Sequence, residues 1–190
     1  HHGKTWGEAQ GAKNDSGLKF VSISGDVEQP GVYEIPIGIT VNELIQRAGG
    51  MKDGTPLLAF LPGGASSTFL PASAAETPLE FEAMKQAGSM LGTGAVIVIS
   101  EGRDLFQLAT NLVRFFRNES CGKCVPCRVG SEKAVQLLEG VQQGEFSSTE
   151  INVLPELGET LEQTSICGLG QVALNPIVSM LKHFPDAVPT

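Results

Sequence analysis

Glu119-Ser120-Cys121-Gly122-Lys123-Cys124-Val125-Pro126-Cys127-Arg128 sets three cysteines at equal intervals, and the remaining cysteine, Cys167, follows forty residues later. Three thiolates within seven residues crowd the tetrahedron of bonds around one metal ion. A cubane suits them, since each thiolate then holds a different iron. C-x2-C-x2-C with one remote cysteine is the spacing of a [4Fe–4S] site, which makes Cys121, Cys124, Cys127 and Cys167 the candidate ligands. A zinc ion, or buried thiols with no metal, are the competing readings. Zinc sites usually bring two C-x2-C pairs far apart in sequence, and this chain has a triplet and a singleton.

The same cysteines bear on compartment. No stretch combines a basic start, an apolar middle and a cleavage site, and apolar runs such as Ala95–Ile99 are too short to span a bilayer. Clustered cysteines without a secretory signal point to metal ligands in a reducing compartment, so the expectation is cytoplasmic. The 190 residues carry 13 Lys and Arg against 21 Asp and Glu, a net charge of −8. The basic residues are scattered, which argues against a nucleic-acid face. Other proteins are the expected partners.

Composition divides the chain into three. Residues 1–18 are Gly-rich and polar and read as a linker or arm, in which Trp6 packs on a neighbouring surface. Residues 19–100 read as a small β-rich domain. Phe20–Gly25 alternates, Gln29-Pro30-Gly31 turns, and Val32–Ile35 returns as a hairpin partner. Thr40 and Glu43 form a capping box for a helix bearing Val41, Leu44, Ile45 and Ala48, which stops at Gly49-Gly50. Strands follow around Leu57–Leu61, Thr68–Leu70 and Ala95–Ser100, completing the outline of a β-grasp domain. The glycine-rich Pro62–Ser67 lacks the Lys-Ser/Thr ending of a phosphate loop and reads as a plain turn.

Residues 101–190 read as a four-helix bundle. Leu105, Leu108, Ala109, Leu112, Val113 and Phe116 recur at the helical period. A second helix spans Val129–Glu139, a third opens at Ser148, and a fourth opens at Asn175-Pro176. All four cysteines then lie in or beside the loops, and closing the bundle brings Cys167 to the triplet. Gly168-Leu169-Gly170-Gln171-Val172-Ala173 matches a dinucleotide fingerprint, but no strand leads into it. Its glycines read instead as a tight turn beside the cluster. Ser120 and Ser165 suit either caps or donors to cluster sulfur. Lys123 and Arg128 either favour the reduced cluster, or simply point into solvent or pair with Glu119 and Glu132. His183 reads as a C-terminal helix residue favoured by the dipole.

Glu119–Arg128 followed by Gly130, together with Ser165–Gly170, resembles the flavin- and NADH-binding subunit of respiratory complex I. That family's relatives include the diaphorase subunits of soluble formate dehydrogenases and hydrogenases. Ser22-Ile23-Ser24-Gly25-Asp26-Val27, with Pro30-Gly31-Val32-Tyr33-Glu34, is similar to its soluble-ligand-binding β-grasp domain. Leu61–Ser67 and Ile166–Gln171 look nearer the formate-dehydrogenase branch.

The resemblance covers residues 19–185 and implies an α+β fold, a β-grasp domain followed by a helical bundle with one [4Fe–4S] cluster. It implies electron transfer from FMN in an NADH-dependent oxidoreductase. The family's FMN and NAD(H) sites lie in an N-terminal α/β domain, and no motif here matches one. The chain therefore resembles the family's C-terminal part, as a fragment or a separate gene product, and is expected to be inactive with NADH by itself. Implied partners are that flavin domain, a 2Fe–2S thioredoxin-like subunit, and an iron–sulfur or molybdenum-containing subunit. No catalytic residue is assigned. A stand-alone binding module and a zinc-stapled interaction domain are the alternatives.

Overall fold

The computed structural model describes residues 17–189 and, before them, Gly3, Ala9 and Gly11. Most of the arm expected over residues 1–18, with Trp6 and the paired histidines, lies outside the described residues. The chain forms two compact units, residues 1–103 and 104–190.

In the first unit, β1 (Leu18–Gly25) and β2 (Gly31–Pro36) form the antiparallel hairpin, with Val21 opposite Tyr33. Alternation sends Val21 and Ile23 inward, while Phe20 is 68% exposed on the other face. The Thr40 hydroxyl accepts the Glu43 N–H and the Glu43 carboxylate accepts the Thr40 N–H, opening α1 (Val41–Arg47) as a complete capping box. β3 (Leu57–Leu61), β4 (Leu70–Pro71) and β5 (Ala95–Ser100) complete a sheet of order β2-β1-β5-β3-β4. β5 runs parallel to β1 and antiparallel to β3, so the last strand made is the central one. Val41, Leu44 and Ile45 of α1 and its C-cap Ala48 join Val21, Ile23, Ile35, Phe60, Val96 and Val98 in one core, the β-grasp arrangement. A second helix, α2 (Phe81–Gln86), corrects the expectation of a single helix; only Met84 of its six residues is buried, too little to make a periodic signal. Pro62–Ser67 is a turn, closed by the Ser67 hydroxyl donating to the Gly64 carbonyl at 2.7 Å.

The second unit contains α3 (Leu105–Glu119), α4 (Val125–Gln142), α5 (Leu154–Thr164), α6 (Gly168–Val172) and α7 (Asn175–His183). The Asp104 carboxylate accepts the Gln107 N–H to cap α3. Phe106, Ala109 and Val113 of α3 are fully buried with Ala134, Val135 and Leu138 of α4, Leu161 of α5 and Ile177 and Met180 of α7. Four helices thus form the bundle, with two departures. The third begins as a 3-10 turn, Ser148–Val153, because Pro155 sits where an α-helix tolerates it, in the first turn of α5. α6 is an additional short helix. No described helix is long and apolar enough to cross a membrane.

Candidate metal centre

The second helix opens inside the cysteine motif, four residues earlier than its apolar period indicates. Pro126 stands in its first turn, where its missing N–H costs nothing, and Cys124 is the N-cap. Cys127 is therefore not in a loop: it lies in the first turn of α4, 5% exposed, and its carbonyl accepts the Ser131 hydroxyl at 2.6 Å. Cys121 sits in the loop between α3 and α4 and is exposed; Cys124 is half-buried. Gly122, at φ 76°, turns that loop, and its N–H donates to Ser120 Oγ at 3.3 Å. Ser120 Oγ also meets Cys127 Sγ at 3.3 Å.

Cys167 is the N-cap of α6 and is exposed. Its segment packs on the triplet at two points. The Ile166 N–H, followed by the Cys127 N–H, holds the Cys124 thiol below its ordinary pKa by bonding its sulfur. At Gly170, a methyl group would fall 2.5 Å from Ser165 Oγ and 2.9 Å from the Cys127 Cβ, so only glycine lets α6 approach α4 this closely. Of the two glycines in the false dinucleotide fingerprint, Gly170 serves this approach, while a Cβ at Gly168 would meet nothing within 4 Å. Gly130 does the same one turn into α4, where a Cβ would run into the Leu161 side chain of α5.

The surrounding charges differ from one expected pairing. Arg128 donates from Nη1 to the Gly122 carbonyl at 2.8 Å, across the cysteine loop. Glu132 pairs instead with Arg117 at 3.6 Å. His183 lies in the last turn of α7, but burial and then Lys182 push its pKa down, which outweighs the dipole's preference for a charged imidazole.

The donor set and its surroundings fit an iron–sulfur group. Four free thiols are supplied by the α3–α4 loop, the start of α4 and the start of α6. Beside the thiols, Ser165 Oγ is buried with no hydrogen-bond partner. An orphaned hydroxyl costs roughly 1–3 kcal/mol unless something else fills the site.

A β-grasp unit joined to a bundle with four free thiols at one end belongs to the class of iron–sulfur electron-transfer modules. Residues 107–189 match the NADH-ubiquinone oxidoreductase-F iron-sulfur binding region, and residues 19–98 match the SLBB domain. Each match is confined to its own part of the chain, the iron-sulfur binding region to the second unit and the SLBB domain to the first. It is 37% identical to the F subunit of the NADH-quinone oxidoreductase of Streptomyces coelicolor, over 97% of this chain and 41% of that protein. The corresponding F subunit of Rickettsia typhi is also 37% identical, over 98% of this chain and 45% of that protein. The chain thus spans less than half the length of these curated relatives. A solved NAD+-reducing [NiFe]-hydrogenase in the H2-reduced state superposes with a TM-score of 0.86 at 32% identity, over 97% of this chain and 31% of the hydrogenase chain.

Proposed function

We propose that this chain is the electron-transfer portion of an NADH dehydrogenase or diaphorase-type oxidoreductase, with Cys121, Cys124, Cys127 and Cys167 as ligands of its [4Fe–4S] cluster. The observation that carries the reading is the packing of the Ile166–Gly170 segment onto the cysteine triplet. The family match over residues 107–189 supports it. When bound, the cluster supplies one-electron storage. The chain's own residues set the ligand positions: the start of α4 places Cys124 as its N-cap and Cys127 in its first turn, Gly122 turns the loop that carries the exposed Cys121, and Gly170 lets the Cys167 segment approach Cys127. Buried Cys127 and Ser165 keep water from one side of the site.

Single electrons reach this module from a flavin that oxidises NADH, and leave to a further iron–sulfur subunit of the same assembly. The NADH-quinone oxidoreductase and hydrogenase relatives support that setting. A thioredoxin-like 2Fe–2S subunit is the partner the resemblance implies, and a cytoplasmic location suits four free cysteines. A formate-dehydrogenase context rests on the Leu61–Ser67 and Ile166–Gln171 segments alone. Domain boundaries are set at 19–100 for the β-grasp domain and 101–190 for the cluster domain. No motif supplies a flavin or nicotinamide pocket, so the isolated chain is inactive with NADH.

Cys124→Ala tests the ligand set. Anaerobically purified chain is expected to be brown with four irons, and the variant is expected to lose colour and iron and to unfold its bundle at lower temperature. Full iron content and unchanged helicity in Cys124→Ala would refute the assignment. A colourless protein containing zinc would favour the interaction-domain alternative.

A further inference from the structure

Ser165 ends α5 as its C-cap, and both of its backbone groups are engaged. Its N–H donates to the Leu161 carbonyl at 3.0 Å, and its carbonyl accepts the Gln171 side-chain amide at 3.1 Å. The residue is therefore held in place at both ends. Its hydroxyl is not used in this capping: among the described side chains, Ser165 Oγ is the buried oxygen or nitrogen with no hydrogen-bond partner. Buried hydroxyls rarely stay unpaired.

The position of this hydroxyl identifies the acceptor it lacks. A Cβ built at Gly170 would lie 2.5 Å from Ser165 Oγ and 2.9 Å from the Cys127 Cβ, so the hydroxyl and the Cys127 side chain converge on one point. Ser165 also precedes Cys167 by two residues. Sulfur is the acceptor that these cysteines and their cluster bring there. Ser120 provides the contrast: its oxygen already accepts the Gly122 N–H and meets Cys127 Sγ at 3.3 Å.

We infer that Ser165 is a tuning residue: its hydroxyl donates a hydrogen bond to sulfur at the cluster and shifts the one-electron equilibrium toward the reduced form. The inference rests on the ligand reading given under Proposed function. A donor to sulfur stabilises the extra negative charge that arrives with the electron. Removing it leaves the four thiolates in place and makes the reduced form less populated.

The test compares the full chain with Ser165→Ala and Ser165→Thr, purified anaerobically. Three quantities are read: iron content, the midpoint potential from an EPR-monitored redox titration, and the shift of the iron–sulfur stretching bands in D2O. Ser165→Ala is expected to keep its iron, to move the reduction equilibrium several-fold toward the oxidised form, and to lose part of the D2O shift. A tenfold move would read as about 59 mV. Ser165→Thr, which retains the hydroxyl, is expected to restore both signals. An unchanged potential and D2O shift in Ser165→Ala with iron retained would overturn the tuning role and leave the ligand assignment standing. Iron loss from both variants would overturn it too, because it would assign Ser165 to packing. A wild-type chain without iron would overturn the ligand reading itself.

Discussion

Asp26 joins the ends of two strands and the turn beyond them. Its carboxylate accepts the Ser100 N–H at 3.0 Å, the Ser100 hydroxyl at 3.0 Å and the Arg103 Nε at 3.0 Å, and a second Arg103 nitrogen closes a bidentate pair. Hydrogen bonding by Arg103 is the largest cause that lowers its pKa from the ordinary 3.8 to about 2; burial works against this and the Ser100 donors assist. At about 1.36 kcal/mol for each tenfold change in acidity, that lowering corresponds to roughly 2.4 kcal/mol. The Arg103 side chain is 57% exposed and the Asp26 side chain 9%, so solvent screening trims the figure to about 1.5 kcal/mol. The folded-state pKa is the depressed one. The contribution is therefore complete above the unfolded value of 3.8 and disappears as pH falls through about 2. A carbon NMR titration of the Asp26 carboxyl should find its midpoint near 2 and should move it upward in Arg103→Gln. Hydrogen exchange of the β1 and β5 amides should show protection falling over the same pH range in the wild type and not in Asp26→Asn. An Asp26 midpoint close to 3.8, or one indifferent to Arg103→Gln, would refute the reasoning.

Gly170→Ala is expected to force the Cys167 segment away from Cys127, with the roughly 1–3 kcal/mol cost of overpacking and a loss of iron. Iron analysis and a thermal melt check this, and full iron with an unchanged Tm would show that the approach of α6 is not tight. Arg128→Gln is expected to lower the cluster's midpoint potential by some tens of millivolts with iron retained, since a cation held over the cysteine loop favours the reduced charge. A redox titration showing no shift would leave Arg128 as a loop clamp alone.

The readable parts of this sequence are those with local signatures. Thr40 and Glu43 announce α1 because the box satisfies two backbone donors within four residues. The succession of strands and helices follows from period-2 and period-3.6 patterns over Phe20–Ser100 and Leu105–Leu181, whereas the sheet order, with β5 at its centre, leaves no mark in those patterns. The apolar period alone starts α4 too late, at Val129, although Pro126 in its first turn is an available signal. α6 is hidden by its two glycines, which lower helix propensity, and Gly170 alone of the pair is there for close packing. The Asp26–Arg103 pair spans 77 residues, and neither residue carries a local mark of the other. The unpaired Ser165 hydroxyl is likewise a product of tertiary packing, visible only once α5 and α6 are placed against Cys127.

The position of β5 has a consequence for synthesis on the ribosome. β1 and β2 are made first, yet the strand that pairs with β1 on its other side begins only at Ala95, after α1, β3, β4 and α2 have all emerged. From the end of β2 at Pro36 that is about sixty residues, or roughly 3–12 s at common elongation rates. Throughout that interval β1 presents an open hydrogen-bonding edge, with the exposed Phe20 and Val32 on the hairpin beside it. The nascent chain is most vulnerable to mispairing with a neighbouring polypeptide in this window, and release of β5 ends it.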